Sequence, residues 1–196
     1  MRLVGCALAW LALTLGVALK LPFLMQLDVD ARQALRVPGF VASSRVLTNA
    51  GDPLVMLALA LCLLAVLVSW REWEKAKLVA GAFLAVALFR WGVLWLVERG
   101  RPADADADAL GWSYPSGHTA YSLTAAMLLY LLVTPTLRQT WQHTALLVVV
   151  VAWPTTVALT RVQLGVHWPI DVLAGWLLPL IIVPTVVNIA NFEARR

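Results

Sequence analysis

Three short stretches of this chain bring together side chains that handle anions and protons. The first is Glu98-Arg99-Gly100-Arg101-Pro102 and the second is Tyr114-Pro115-Ser116-Gly117-His118. The third runs from Thr160 and Arg161 through Gly165 and His167 to Asp171. His167 and Asp171 stand at i and i+4, so a helix beginning there carries both on one face. A carboxylate bonded to one ring nitrogen fixes the tautomer and leaves the other nitrogen free as a nucleophile. Taken alone, the pair also fits a structural histidine at a helix start.

The second stretch adds what an anion needs. Ser116 and Gly117 at a helix start offer a hydroxyl and backbone N–H groups, and Gly117 lets a ligand come close to the backbone. His118, in the first turn, is placed to protonate a leaving oxygen. Arg101 and Arg161 carry guanidinium forks that grip phosphate oxygens in pairs and stay charged. Either arginine by itself also fits snorkelling at a membrane surface, and Pro-Ser-Gly by itself also fits a plain helix cap. Three stretches that each supply a donor, an acid or a base point together to phosphoryl chemistry.

The elements that must position these groups are apolar to an unusual degree. The chain has 196 residues, 61% of them hydrophobic and 13% charged, with a mean hydropathy of +0.81. Soluble domains carry roughly 25% charged residues, so a water-soluble globule is excluded, and so is disorder. A net charge of +4 spread over so apolar a chain does not call for a nucleic-acid partner. Cys6 and Cys62 both lie in apolar runs and offer neither a disulfide framework nor a metal finger.

Six apolar segments predict an all-α, polytopic membrane protein, a bundle of six transmembrane helices forming one domain over residues 1–196. They are Leu3 to about Leu24, Pro53–Trp70, Leu78–Val97 with Arg90 inside it, Thr119–Val133, Ala145–Val162, and Ile170–Ala190, the last interrupted by Pro179 and Pro184. Six spans put both termini on one side, with Arg2, Arg71, Lys75, Lys77, Arg138, Arg195 and Arg196. The other side holds Arg32, Arg36 and Arg45 and most of the acids, so the basic excess predicts cytoplasmic termini. All three chemical stretches then face the extracytoplasmic side. Trp70, Trp73 and Trp141 fit one interfacial belt, Trp112 and Trp168 the other. Leu3-Val4-Gly5-Cys6 looks like a lipoprotein cleavage box, but only two residues precede it, so an uncleaved first span is expected.

The order and spacing of the three stretches resemble the type 2 phosphatidic acid phosphatase superfamily, which also includes vanadium-dependent haloperoxidases. Its pattern is Lys-x6-Arg-Pro, then Pro-Ser-Gly-His, then Ser-Arg-x5-His-x3-Asp. Pro115–His118 matches the second block in full. Arg161, His167 and Asp171 match the third, with Thr160 in the serine position. Arg101-Pro102 keeps the end of the first block, while Leu94 stands where the family has lysine. The run Leu47-Thr48-Asn49-Ala50-Gly51-Asp52 also looks like bacterial members of the family.

The resemblance implies a metal-independent phosphatase of the bacterial cytoplasmic membrane, without a cofactor, acting on a lipid phosphate or diphosphate. Undecaprenyl diphosphate and phosphatidylglycerophosphate are the favoured substrates, with phosphatidic acid and lipid A phosphates as further candidates. His167 would attack phosphorus and become a phosphohistidine, Asp171 would hold its ring, and His118 would protonate the leaving group. Arg101, Ser116, Gly117 and Arg161 would hold the equatorial oxygens, where charge spreads in the transition state. With Leu94 in the lysine position, Arg90 (one helical turn earlier) or Arg99 is expected to supply the missing charge, although Arg90 also fits a structural ion pair. The partners implied are the lipid substrate and the bilayer; the sequence sets no oligomeric state.

The remaining features read as structural. Asp104-Ala105-Asp106-Ala107-Asp108 opens like a calcium loop but has Ala109 in the glycine position and Pro115 in the final acidic one, so a solvated loop is expected. His143 reads as a surface residue, and Trp91 and Trp95 as lipid-facing or packing surface. A non-catalytic headgroup binder or transporter would use the same arginines without the histidine chemistry. A vanadate-dependent peroxidase would share the anion pocket, but those relatives are soluble and larger.

Overall fold

A computed structural model of the chain describes residues 2–193; Arg195, Arg196 and the side chain of Arg2 lie outside the described residues. Every regular element among them is helical: α1 (Arg2–Ala18), α2 (Pro22–Leu35), α3 (Val41–Leu47), a 3₁₀ turn (Thr48–Gly51), α4 (Pro53–Ser69), α5 (Trp73–Val97), α6 (Gly117–Val133), a 3₁₀ turn (Thr134–Thr136), α7 (Thr140–Gln163) and α8 (Pro169–Glu193). Five stretches are long and apolar enough to cross a membrane: Val41–Ser69, Trp73–Val97, Gly117–Thr136, Thr140–Gln163 and Pro169–Ala190. A sixth span results if the pair Leu3–Ala18 and Pro22–Leu35, bent by 99°, is taken as one.

That bend corrects the first expected segment, which was to run straight to about Leu24. Lys20 adopts a left-handed backbone (φ 52°), and Pro22, with its ring-fixed backbone and no N–H, opens a new helix. Residues expected in a loop, Asp28 and Arg32 among them, therefore sit on α2. The last expected segment is corrected too. Rather than being interrupted, α8 runs unbroken through Pro179 and Pro184, which packed membrane helices tolerate because neighbours re-satisfy the freed backbone groups.

α8 is the central staff of the bundle. Its stripe Ala174, Leu178 and Ile182 packs with Trp10 and Val17 of α1, Val86 of α5, and Ala120 and Tyr121 of α6. A second cluster joins Leu67, Val79, Ala82, Leu128 and Val183. The outer faces are as apolar as the inner ones: Leu57, Leu61, Leu88, Trp95 and Val148 are exposed, and only 22% of the apolar window on α5 is buried inside the protein. Helices apolar all round belong in lipid, and the chain is a multi-pass membrane protein.

Where α8 meets the start of α6, the backbones nearly touch. A Cβ on Gly175 would stand 2.7 Å from the carbonyl oxygen of Ser116, so only glycine allows this approach. The contact seats the Pro115–His118 turn directly against the helix that carries Asp171. At the opposite end, Lys75 and Lys77 pair with Glu72 and Glu74, and Trp70, Trp73 and Trp141 are exposed.

Candidate active site

Buried polar side chains gather at one end of the bundle. Among them are Asp28, Thr48, Ser116, Thr160, Arg161, His167 and Asp171, none more than 7% exposed. Groups of this kind persist in an apolar setting only when they satisfy one another or serve a site.

His167 lies in the turn between α7 and α8, and its ring is nearly inaccessible. Its Nδ1 stands 3.5 Å from Oδ2 of Asp171, while on the other edge Nε2 lies 3.3 Å from Nη1 of Arg101. A guanidinium can only donate, so Nε2 is the unprotonated nitrogen and presents its lone pair on that side. Burial, against the pull of Asp171, pushes the His167 pKa down to about 4. The ring is therefore neutral near pH 7, the form in which imidazole is a nucleophile.

Arg101 is fixed by the loop it belongs to. Its Nε donates to the carbonyl of Gly111 at 3.0 Å, its Nη2 to those of Leu110 and Trp112, and its Nη1 to that of Val166. Burial holds its pKa below the ordinary value, yet a guanidinium remains charged. Arg161 is 7% exposed. Nη1 donates to Oγ1 of Thr48 at 2.9 Å, and its buried Nε has no partner among the described residues. Both arginines lie within electrostatic reach of the His167 ring.

The α6 turn supplies the second imidazole. His118 is half-buried, its Nε2 is 3.8 Å from Oδ2 of Asp52, and Arg161, His167, Arg90 and Arg101 all lie within its electrostatic reach. Asp52 caps α4 by accepting from the backbone N–H groups of Leu54 and Val55. The backbone N–H of Ser116 is not free as expected, because it donates to the Asp171 carbonyl at 3.0 Å. Its hydroxyl accepts from Thr119 and keeps its own proton to donate. The Gly117 N–H, at the first helical position, has no intrahelical partner.

The two further arginines take different places. Arg90 reaches the α6 turn, with Nε donating to the Pro115 carbonyl at 3.2 Å. Its guanidinium fills the space beside Gly117, where a Cβ would stand 2.8 Å from Nε. Arg99, expected as a phosphate contact, is turned away. Its Nη1 donates to Oδ1 of Asp171 at 2.7 Å and its Nη2 to Oδ2 of Asp28. Two carboxylates thus engage both ends of its fork. It also lies over the Trp168 ring, as does Arg32.

The acidic run is likewise no free loop. Asp104 accepts from Arg32 at 2.7 Å and from Arg36 at 2.9 Å. Asp106 pairs with Arg36, its carbonyl accepts from Arg45, and its N–H donates to the Leu164 carbonyl at 2.8 Å. The run is a strap across the α7–α8 turn, and it leads into the carbonyls that hold Arg101. His143 remains at the far end, in the first turn of α7.

The sum is a cationic pocket. Arg90, Arg101 and Arg161 lie around His118, Arg101 and Arg161 also reach His167, and the charge of Asp171 is taken up by Arg99. No group of three His, Cys, Asp or Glu that could hold a metal ion occurs among the described residues; the donors present suit a tetrahedral oxyanion. Sequence reasoning placed His118, His167, Asp171, Arg101, Arg161, Ser116 and Gly117 here, and they come together. It missed Asp28, Thr48 and Asp52, which their position at the ends of apolar runs could have flagged.

A family model described as the PAP2 superfamily matches residues 95–195. Over 67 residues the chain is 45% identical to an undecaprenyl-diphosphatase of Sulfolobus acidocaldarius, which covers 34% of this chain and 28% of that protein. The chain therefore spans less than a third of that relative. Over 144 residues it is 33% identical to a decaprenylphosphoryl-5-phosphoribose phosphatase of Mycobacterium tuberculosis, covering 70% of this chain and 73% of that one. In fold it is similar to a transmembrane PAP2-type phosphatidylglycerolphosphate phosphatase of Bacillus subtilis, with a TM-score of 0.83, 23% identity and 96% of each chain covered.

Proposed function

Because the chain belongs to the PAP2 superfamily, we propose that residues 1–196 act as one membrane-embedded phosphatase that removes phosphate from a lipid phosphate or diphosphate. The observation that carries this reading is the His167 ring held between a carboxylate and a guanidinium, with Nε2 unprotonated beside Arg101. Nε2 attacks phosphorus, the bond from phosphorus to the leaving oxygen breaks, and His118 delivers a proton to that oxygen. A phosphohistidine remains on His167. His118, now a base, takes a proton from water, which displaces the histidine and releases inorganic phosphate.

Charge gathers on the equatorial oxygens as the bonds exchange, and the preset donors are worth most there. Arg101, Arg161 with its spare Nε, the Ser116 hydroxyl and the Gly117 N–H hold them, joined by Arg90 in the part left open by Leu94. Asp52 orients His118 as Asp171 orients His167. No step calls for a metal ion. The basic far end supports a cytoplasmic location for that end, so the site opens at the outer leaflet of a bacterial cytoplasmic membrane. There a substrate keeps its tail in lipid while its headgroup reaches the histidines. The named relatives favour polyprenyl and glycerol lipids, undecaprenyl diphosphate and phosphatidylglycerophosphate foremost.

The test is phosphate release from a panel of purified lipid phosphates and diphosphates, in chelator, with His167→Ala as control. Release from at least one of these lipids, abolished in the variant, is expected. Binding of the lipids without turnover would instead identify a headgroup binder, and activity lost in chelator would overturn the metal-free mechanism.

A further inference from the structure

Behind the reacting histidine a chain of buried charges runs away from the pocket. Asp171 accepts from Arg99, and Arg99 in turn donates to Asp28 on α2, 1% exposed. The other Asp28 oxygen accepts from the backbone N–H of Ile170 at 2.7 Å, in the first turn of α8. Asp28 thus grips both the arginine and the helix that carries Asp171. Both ends of the Arg99 fork are spent on carboxylates rather than offered to an anion, and Asp28 lies outside the three sequence stretches.

We propose that Asp28 and Arg99 are positioning residues for the phosphoryl transfer, aligning Asp171 on His167 through a carboxylate–guanidinium–carboxylate chain anchored on α2. The inference rests on the phosphohistidine reading. Its physical basis is that a buried carboxylate with four acceptor sites has no fixed direction unless other donors hold it. Asp171 receives two such donors, the Arg99 guanidinium on Oδ1 and the Trp168 N–H at 2.9 Å on Oδ2. Oδ2 is also the oxygen facing the imidazole. The bend between α1 and α2 gains a purpose, since it brings Asp28 to this place.

The sign of the charge matters as well as its position. His167, Arg99, Tyr114 and Asp28 surround Asp171, and Tyr114 stays protonated because burial raises its pKa. The His167 ring faces Asp171, Arg101 and Arg161. Removing the positive charge of Arg99 leaves the Asp171–His167 pair more negative, which makes His167 easier to protonate. Removing the negative charge of Asp28 does the opposite.

The experiment compares wild type, Arg99→Gln, Arg99→Lys and Asp28→Asn on a soluble short-chain probe, dioctanoyl phosphatidic acid, across pH. For Arg99→Gln we expect kcat to fall on the order of tenfold, as when a partner of a reacting side chain is removed, with KM little changed. Its acid limb should move up by roughly half a unit or more. Arg99→Lys should recover part of kcat and return the limb toward wild type. Asp28→Asn, which keeps the shape and the Ile170 contact, should lower kcat without raising the acid limb. It decides the matter if Arg99→Gln fails to fold. Unchanged kcat and limb in Asp28→Asn, or a loss in Arg99→Gln confined to KM, would overturn the assignment while leaving the phosphatase intact. A wild type inactive on every lipid phosphate would overturn the phosphatase reading, and this one with it.

Discussion

The guanidinium of Arg90 occupies the space that a side chain on Gly117 would need: a Cβ there would stand 2.8 Å from Nε and 3.0 Å from Cζ. Leu94, one turn further along α5, is buried and carries no charge where the family pattern has lysine. Arg90 stands on the same face and reaches the α6 turn from that turn earlier. The missing side chain at position 117 therefore makes room for the arginine.

Replacing Arg90 with Met should lower kcat/KM on the order of 10²-fold, the usual cost of one oxyanion donor. Gly117→Ala should fold, since the atoms in the way are the mobile end of a long side chain, and should lose activity by displacing Arg90. Leu94→Lys placed in the Arg90→Met background should restore part of the loss. Steady-state phosphate release checks all three, and full activity in Arg90→Met would confine that arginine to a structural role.

Protonation of His167 sets the acid limb. Burial pushes its pKa down to about 4, and only the neutral ring attacks, so kcat/KM should hold level from neutrality down to about pH 4 and fall below it. Asp171→Asn should cost up to about 10⁴-fold, the loss seen when the orienting carboxylate of a catalytic histidine is removed. A pH–rate profile on a soluble substrate measures both. A limb near the ordinary histidine value would show that the ring is more exposed to water than the structure has it.

How far the sequence foretold this site depends on the range of the contacts. His167 and Asp171 were legible because four positions bridging a helix start keep two side chains near each other, although α8 begins only at Pro169 and His167 lies in the turn before it, not on the helix as expected. Pro115–His118 was legible because a cap and a first turn are local. Arg99 was misplaced because it precedes Arg101 in a loop, where spacing does not set direction, and its partner Asp28 lies 71 positions away. The bend that brings Asp28 inward begins at Lys20, in an apolar run that reads as continuous. Likewise, the aspartates of the strap seemed solvated because Arg32, Arg36 and Arg45 are distant in sequence. Four of the six spans were read to within five residues of their observed ends, since continuous hydropathy needs no tertiary information, while the second begins at Val41 rather than Pro53.

Asp52 should matter to protonation of the leaving group. It is 3.8 Å from Nε2 of His118 and caps α4 at the same time. Asp52→Asn preserves the cap, because an amide oxygen accepts equally well, but removes the charge that favours the imidazolium. We expect the thermal midpoint to stay near wild type and kcat to fall about tenfold or more. A lipid diphosphate, whose phosphate leaving group departs more readily, should be affected less than a monoester. Equal losses on the two substrate types would argue that Asp52 acts through the fold.

The strap offers a test through salt. Its ion pairs are partly exposed, Asp104 by 63%, so each contributes no more than about 1 kcal/mol and weakens as salt is added. Yet the same segment leads to the carbonyls of Leu110, Gly111 and Trp112 that aim Arg101 at His167. Loosening it should disturb the guanidinium without exposing the core. Asp104→Asn combined with Asp106→Asn should lower kcat/KM by roughly two- to tenfold, raise protease cleavage within residues 103–112, and remove most of the salt dependence expected of wild type. Asp108→Asn, at a position with no ion pair among the described residues, is the control and should leave all three readings unchanged. If the double variant keeps wild-type kinetics while its loop is cut faster, the strap would be shown to move independently of Arg101.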